Sequence, residues 1–112
     1  MVLKPLIRHV HDYNGNLLST IVGVDKNKIG VSICHPNDKA TASKKIGIEL
    51  ATGRAILGVQ EEIPNREVVM GNYDAGVFNV TTLADVLERE IYIMNQRVNR
   101  RVNVNVDLFD LK

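Results

Sequence analysis

The sequence predicts an α+β fold: a small antiparallel sheet, an N-terminal meander plus a C-terminal strand, packed with two helices. Three observations carry this. Asn14-Gly15 lies between two β-rich runs, the strongest short-range hairpin signal. Leu83, Leu87, Ile91, Met94 and Val98 recur at helical spacing. Residues 102–108 (VNVNVDL) alternate apolar and polar without exception, the period of a half-buried strand.

In chain order, residues 6–11 read as a strand with imperfect alternation, begun after Pro5. A two-residue type I′ turn at Asn14-Gly15 leads into a second strand over 17–24 (LLSTIVGV). A polar turn at 25–28 leads into a third over 29–34 (IGVSIC). Within it Ile29, Val31 and Ile33 share one face, and Gly30, Ser32 and Cys34 the other. His35-Pro36-Asn37-Asp38 ends the sheet, since Pro36 cannot continue a ladder.

Helix one is expected to start near Thr41 or Ser43 and to run to about Leu57, with Gly58 as its cap. Ile46, Leu50, Ile56 and Leu57 read as its core side. Gly47, Ala51, Ala55 and Gly58 form a strip nearly free of side chain, along which another backbone can come close. Gly47 and Gly53 each cost roughly 1 kcal/mol against Ala, so a packing or ligand reason is expected for them. Residues 59–79 are the least regular stretch, with a short strand over 66–70 and a glycine-bearing loop after it. Helix two begins at a Thr82-x-x-Asp85 variant of the capping box. It ends in Arg97, Arg100 and Arg101, which favour its dipole.

At 112 residues the chain reads as a single domain, 1–112, able to bury a core without staples. The net charge of +1 gives no global field for nucleic acid or anionic membrane, so anion binding must come from local clusters. Cys34 is the sole cysteine, which rules out an internal disulfide and fits a reducing compartment. The opening residues lack the apolar run of a signal peptide, which predicts the cytoplasm. No Walker loop, zincin helix or nucleophile elbow is present, and the expectation is a binding protein with no catalytic residues, no metal and no cofactor. His9 and His11 have no third ligand in sequence reach, and Glu61-Glu62 reads as solvated surface.

Six of the fourteen Lys and Arg residues, Lys44, Lys45, Arg54, Arg97, Arg100 and Arg101, are concentrated on the two helices, which also carry Arg89. Helix solubility and dipole compensation account well for the group at 97–101 and poorly for Lys44, Lys45 and Arg54. A phosphate-bearing ligand would account for them, with Arg54 the foremost candidate, Lys45 beside it, and Arg97, Arg100 and Arg101 as further contacts. Tyr73 and Phe78, in the glycine-bearing loop, are candidates to stack on a base.

The pattern Gly30-Val31-Ser32-Ile33-Cys34-x-Pro36-x-Asp38, then Ser43-Lys44-Lys45-x-Gly47-x-x-x-Ala51-x-Gly53-Arg54-Ala55, resembles that of small phage proteins, the Thoeris anti-defence sponges of the first type. It departs from them in carrying Ala40-Thr41-Ala42 where an aromatic is expected. The resemblance implies a protein in the host bacterial cytoplasm that binds, without cleaving, the cyclic ADP-ribose-type messenger of bacterial TIR-domain defence. It further implies a homo-oligomer, from dimers up to hexamers, some members also holding cyclic oligonucleotides of CBASS defence. Two other readings stay open: a single-stranded nucleic-acid-binding accessory protein, disfavoured by few aromatics, and a messenger-degrading phosphodiesterase using His9, His11 or His35.

Overall fold

The computed structural model describes residues 4–25, 28–34, 44–72 and 74–110, with side chains described through residue 100. The predicted caps at Thr41 and Ser43, the turn residues Lys26 and Asn27, and the segment 35–38 lie outside the described residues.

The meander forms as its β-rich runs require. Strands β1 (Leu6–His11), β2 (Leu17–Asp25) and β3 (Lys28–Ile33) make an antiparallel sheet in the order β1-β2-β3. The first hairpin turns through three residues rather than two. Asp12 N–H donates to Asn16 O (2.9 Å), Gly15 N–H donates to Asp12 O (3.0 Å), and the Asp12 carboxylate accepts from Asn14 N and Asn16 N, both 2.9 Å. The Asp12 side chain thus supplies the acceptors that select the longer turn.

Helix α1 (Lys44–Leu57) ends as predicted. Gly58 takes a φ of +70°, and Val59 N–H reaches back to Arg54 O at 3.1 Å, closing a Schellman-type cap. Its buried residues are Gly47, Ala51 and Ala55, so the small-residue strip is the packed face. The backbone approaching along it belongs to the chain's own sheet. A Cβ on Gly30 would fall onto the Ala51 carbonyl oxygen and within 2.5 Å of Ala55 N, and one on Gly47 would meet Thr20 Oγ1 at 2.7 Å. Ile46, Leu50, Ile56 and Leu57, expected in the core, are 48–76% exposed. The physical reason is distance: larger residues on the packed face would hold the helix away from the sheet and break the Gly30 contact. Gly53 has open space around it, so nothing among the described residues requires glycine there.

A second sheet follows. β4 (Glu67–Asn72) pairs antiparallel with β5 (Val77–Thr82), and Asn72 Oδ1 caps the turn by accepting from Asp74 N (3.0 Å) and Ala75 N (3.3 Å). β5 is a strand not predicted from the sequence, though VFNVTT is β-rich apart from Asn79.

Helix α2 runs from Leu83 to Asp110. Thr82 Oγ1 accepts from Asp85 N at 3.2 Å, the predicted cap, typically worth about 1 kcal/mol. The C-terminal strand expected over 102–108 is instead the continuation of this helix. Val98, Val102 and Val106 are also four apart, so the alternating run suits either structure. A helix already nucleated and packed through Val98 extends more easily than a new strand begins. The α+β class is unaffected: two helices and two small antiparallel sheets.

The three-stranded sheet is covered on both faces. α1 packs at Thr20, Gly30 and Gly47; on the opposite face Gly23 lies against Met94 and Val98 of α2. The apolar core sits on the α2 side and joins Val10, Leu18, Ile21, Ile33, Val68, Leu83, Leu87, Met94 and Val98.

Candidate functional site

The close seating of α1 on β3 decides where Arg54 goes. β3 is an edge strand, and its outward backbone groups need partners. Arg54 Nη1 donates to Val31 O at 2.8 Å and to Glu61 Oε2 at 2.7 Å, while Glu61 Oε2 also accepts from Ile33 N at 3.2 Å. A little further along, Arg66 Nη1 donates to Cys34 O at 3.2 Å. Side chains from α1 and from the segment after it therefore seal this edge. The Arg54 and Glu61 side chains keep 25% exposure each, so the pair is sheltered but reachable from solvent.

Glu61 also forms part of a groove of about 250 Å³ between β3, the segment after Gly58, and α2. Its walls are Ile29, Val31, Val59, Ile63 and Ile91, with the carboxamides of Gln60 and Asn95 and the Glu61 carboxylate as its polar groups. Apolar walls with a few polar groups are the usual makeup of a small-molecule site, here of fragment rather than drug size. Glu61 was not legible as a site residue. It follows Arg54 by seven positions, but only the reversal of the chain at Gly58 brings the two together. A charged residue shortly after a helix-stopping glycine is the one sequence signal available.

The other sequence-predicted residues are not gathered here. Lys45 is exposed on the first turn of α1. Phe78 is exposed on β5, its ring 5.5 Å from that of Tyr13. Arg97 and Arg100 are exposed on α2 and make no ion pair among the described residues. Because α2 runs on to Asp110, they and Arg101 stand more than two turns before its end rather than in the last turn, where they would favour the dipole. Arg97 stands seven positions after Glu90, whose carboxylate accepts from Arg8 Nε of β1 (3.3 Å), so it lies on the flank away from Ile91 and Asn95. Tyr73 and the side chain of Arg101 lie outside the described residues.

No protein-family model, curated protein sequence or solved structure matches the chain. The site is therefore read from its own chemistry.

A second polar group lies on the α1 side of the sheet. His9 Nδ1 shares a 3.0 Å hydrogen bond with Thr20 Oγ1, the atom beside Gly47. Burial pushes the His9 pKa below the ordinary 6.5, and the positive charges of Lys44 and His11 add to the effect. The same surroundings that lower its pKa favour the neutral imidazole, whose hydrogen bond lies at the seam between sheet and helix. At the groove itself the titratable lining group is Glu61, already engaged by Arg54. Among the described residues no group of His, Cys, Asp and Glu is placed to hold a metal. Among those residues no helix is long and apolar enough to cross a membrane.

Proposed function

We propose that this chain binds and sequesters, without cleaving it, a cyclic ADP-ribose-type signalling nucleotide, acting as a homo-oligomeric phage anti-defence sponge in the host bacterial cytoplasm. The observation that carries the reading is the groove beside the Arg54–Glu61 pair, which has room for one base or ribose of such a nucleotide. Its apolar walls suit a base or ribose face, Gln60 and Asn95 can donate to and accept from a base edge, and Arg54 stands at Glu61 for a phosphate. Among the described residues lining the groove no nucleophile and base converge, which favours holding over cleaving. The sequence pattern at 30–55 supports the same reading. Lys45, Tyr73, Phe78, Arg97, Arg100 and Arg101 are proposed as contacts to a second copy's ligand or to cyclic oligonucleotides at a separate site.

Sequestration is stoichiometric and needs slow release. The protein should deplete cyclic ADP-ribose isomers from solution and return them intact after heat denaturation. Ile91→Trp, which fills the groove, should abolish the depletion. No depletion by the wild-type protein would sink the proposal. A linear product after heating would replace it with a phosphodiesterase. Uptake of linear single strands that is indifferent to ring closure and falls steeply with salt would replace it with nucleic-acid binding.

A further inference from the structure

We infer that Arg54 and the Ile33 amide form a phosphate seat at the edge of β3, and that the chain's own Glu61 carboxylate fills this seat in the unliganded protein. The inference rests on the proposal that Arg54 meets a ligand phosphate, and adds how the site is kept closed until then. Two donors converge on one oxygen: Arg54 Nη1 at 2.7 Å and Ile33 N–H at 3.2 Å from Glu61 Oε2. A guanidinium beside a backbone amide is a donor pair suited to any oxyanion. Phosphate, with more acceptor oxygens and up to two charges, competes on chemistry with a carboxylate.

The donors and the acceptor differ in how firmly they are held. Arg54 projects from α1, and Ile33 belongs to β3, both packed elements. Glu61 stands on the irregular stretch between Gly58 and β4, where residues 60–65 make no backbone–backbone hydrogen bonds among the described residues. Withdrawing it leaves the seat standing. Because Glu61 also lines the groove, its departure widens the groove at the end where the donors lie. A phosphate in the seat would then have Ile29, Val31, Ile63 and Ile91 beside it to receive the rest of its ligand. The tethered carboxylate acts as an intramolecular competitor at high effective concentration, so it lowers apparent affinity by the fraction of time the seat is open.

The test uses inorganic pyrophosphate, which has neither base nor ribose, on the full chain by calorimetry and by amide NMR. Glu61→Ala should bind pyrophosphate about tenfold tighter than wild type, Glu61→Gln should fall between, and Arg54→Ala/Glu61→Ala should lose the gain. In the wild-type protein, saturating pyrophosphate should shift the Ile33 amide resonance, a readout that survives if Glu61→Ala folds poorly. Equal affinity in wild type and Glu61→Gln, with an unmoved Ile33 amide, would overturn the seat. Tight pyrophosphate binding by Glu61→Ala without uptake of cyclic ADP-ribose isomers would keep the seat and remove the messenger. Messenger uptake that leaves the Ile33 amide unmoved would do the reverse.

Discussion

Replacing Gly30 by Ala tests the seam on which the site depends. The added Cβ would overlap the Ala51 carbonyl oxygen and stand 2.5 Å from Ala55 N, where ordinary contact begins at 3.4 Å. Clearing Ala55 alone requires α1 to withdraw by roughly 0.9 Å, and the nearer Ala51 oxygen demands more. Both obstacles are helix backbone, so no side-chain rotation relieves them. Overpacking of this kind costs about 1–3 kcal/mol, and backbone obstacles place it at the upper end. Alanine in a strand recovers roughly 0.5–1 kcal/mol over glycine, which leaves a net loss of about 2 kcal/mol. At roughly 4 °C per kcal/mol for a chain of this size, Tm falls by about 8 °C, read from circular-dichroism melts. Gly53→Ala is the control. Its Cβ meets open space within the same helix, so Tm should rise by roughly 2–4 °C. If Gly30→Ala melts with wild type or above it, the close approach of α1 to β3 is wrong, and with it the placing of Arg54.

Two further outcomes follow from other parts of the chain. His9 has its pKa lowered by burial, with Lys44 and His11 adding to it, so the folded state binds fewer protons than the unfolded one as pH falls through 6.5. The stability it contributes is present above that value and lost towards the lowered one. The urea midpoint should therefore fall between pH 7 and pH 5 more steeply in wild type than in His9→Gln, and equal slopes would remove the assignment. The apolar flank of α1, with Leu50 48% and Leu57 76% exposed, supports the proposed homo-oligomer. Leu50→Lys with Leu57→Lys should lower the mass seen by light scattering while leaving the melt within about 0.5 kcal/mol of wild type. A wild-type protein that is monomeric at all concentrations would discard it.

Local chemistry was legible where one residue decides one structure. Gly58 stops α1, Thr82 starts α2, and the β-rich runs either side of Asn14-Gly15 form the meander. Patterns that suit two structures were not. The alternation at 102–108 predicts a strand, yet the backbone there stays helical, because a packed helix needs only propagation to continue. The apolar residues of α1 predict a core face, yet the face that packs carries Gly47, Ala51 and Ala55. Residue type ranks burial, whereas the distance at which two backbones can meet decides it.

The same division holds at the candidate site. By itself the sequence determined the α+β class and the strip of small residues, and it marked Arg54 as a candidate contact, although its place in the last turn of α1 also favours the helix dipole. Only the tertiary structure decided what Arg54 touches. With glycine at 30 the helix seats close on β3, and with the chain reversed at Gly58 the Glu61 carboxylate arrives within 2.7 Å of the guanidinium. Neither event is local: the first needs contact across two elements, and the second needs a turn to join residues seven apart. The pairing of charge with charge therefore emerges only when the elements are packed.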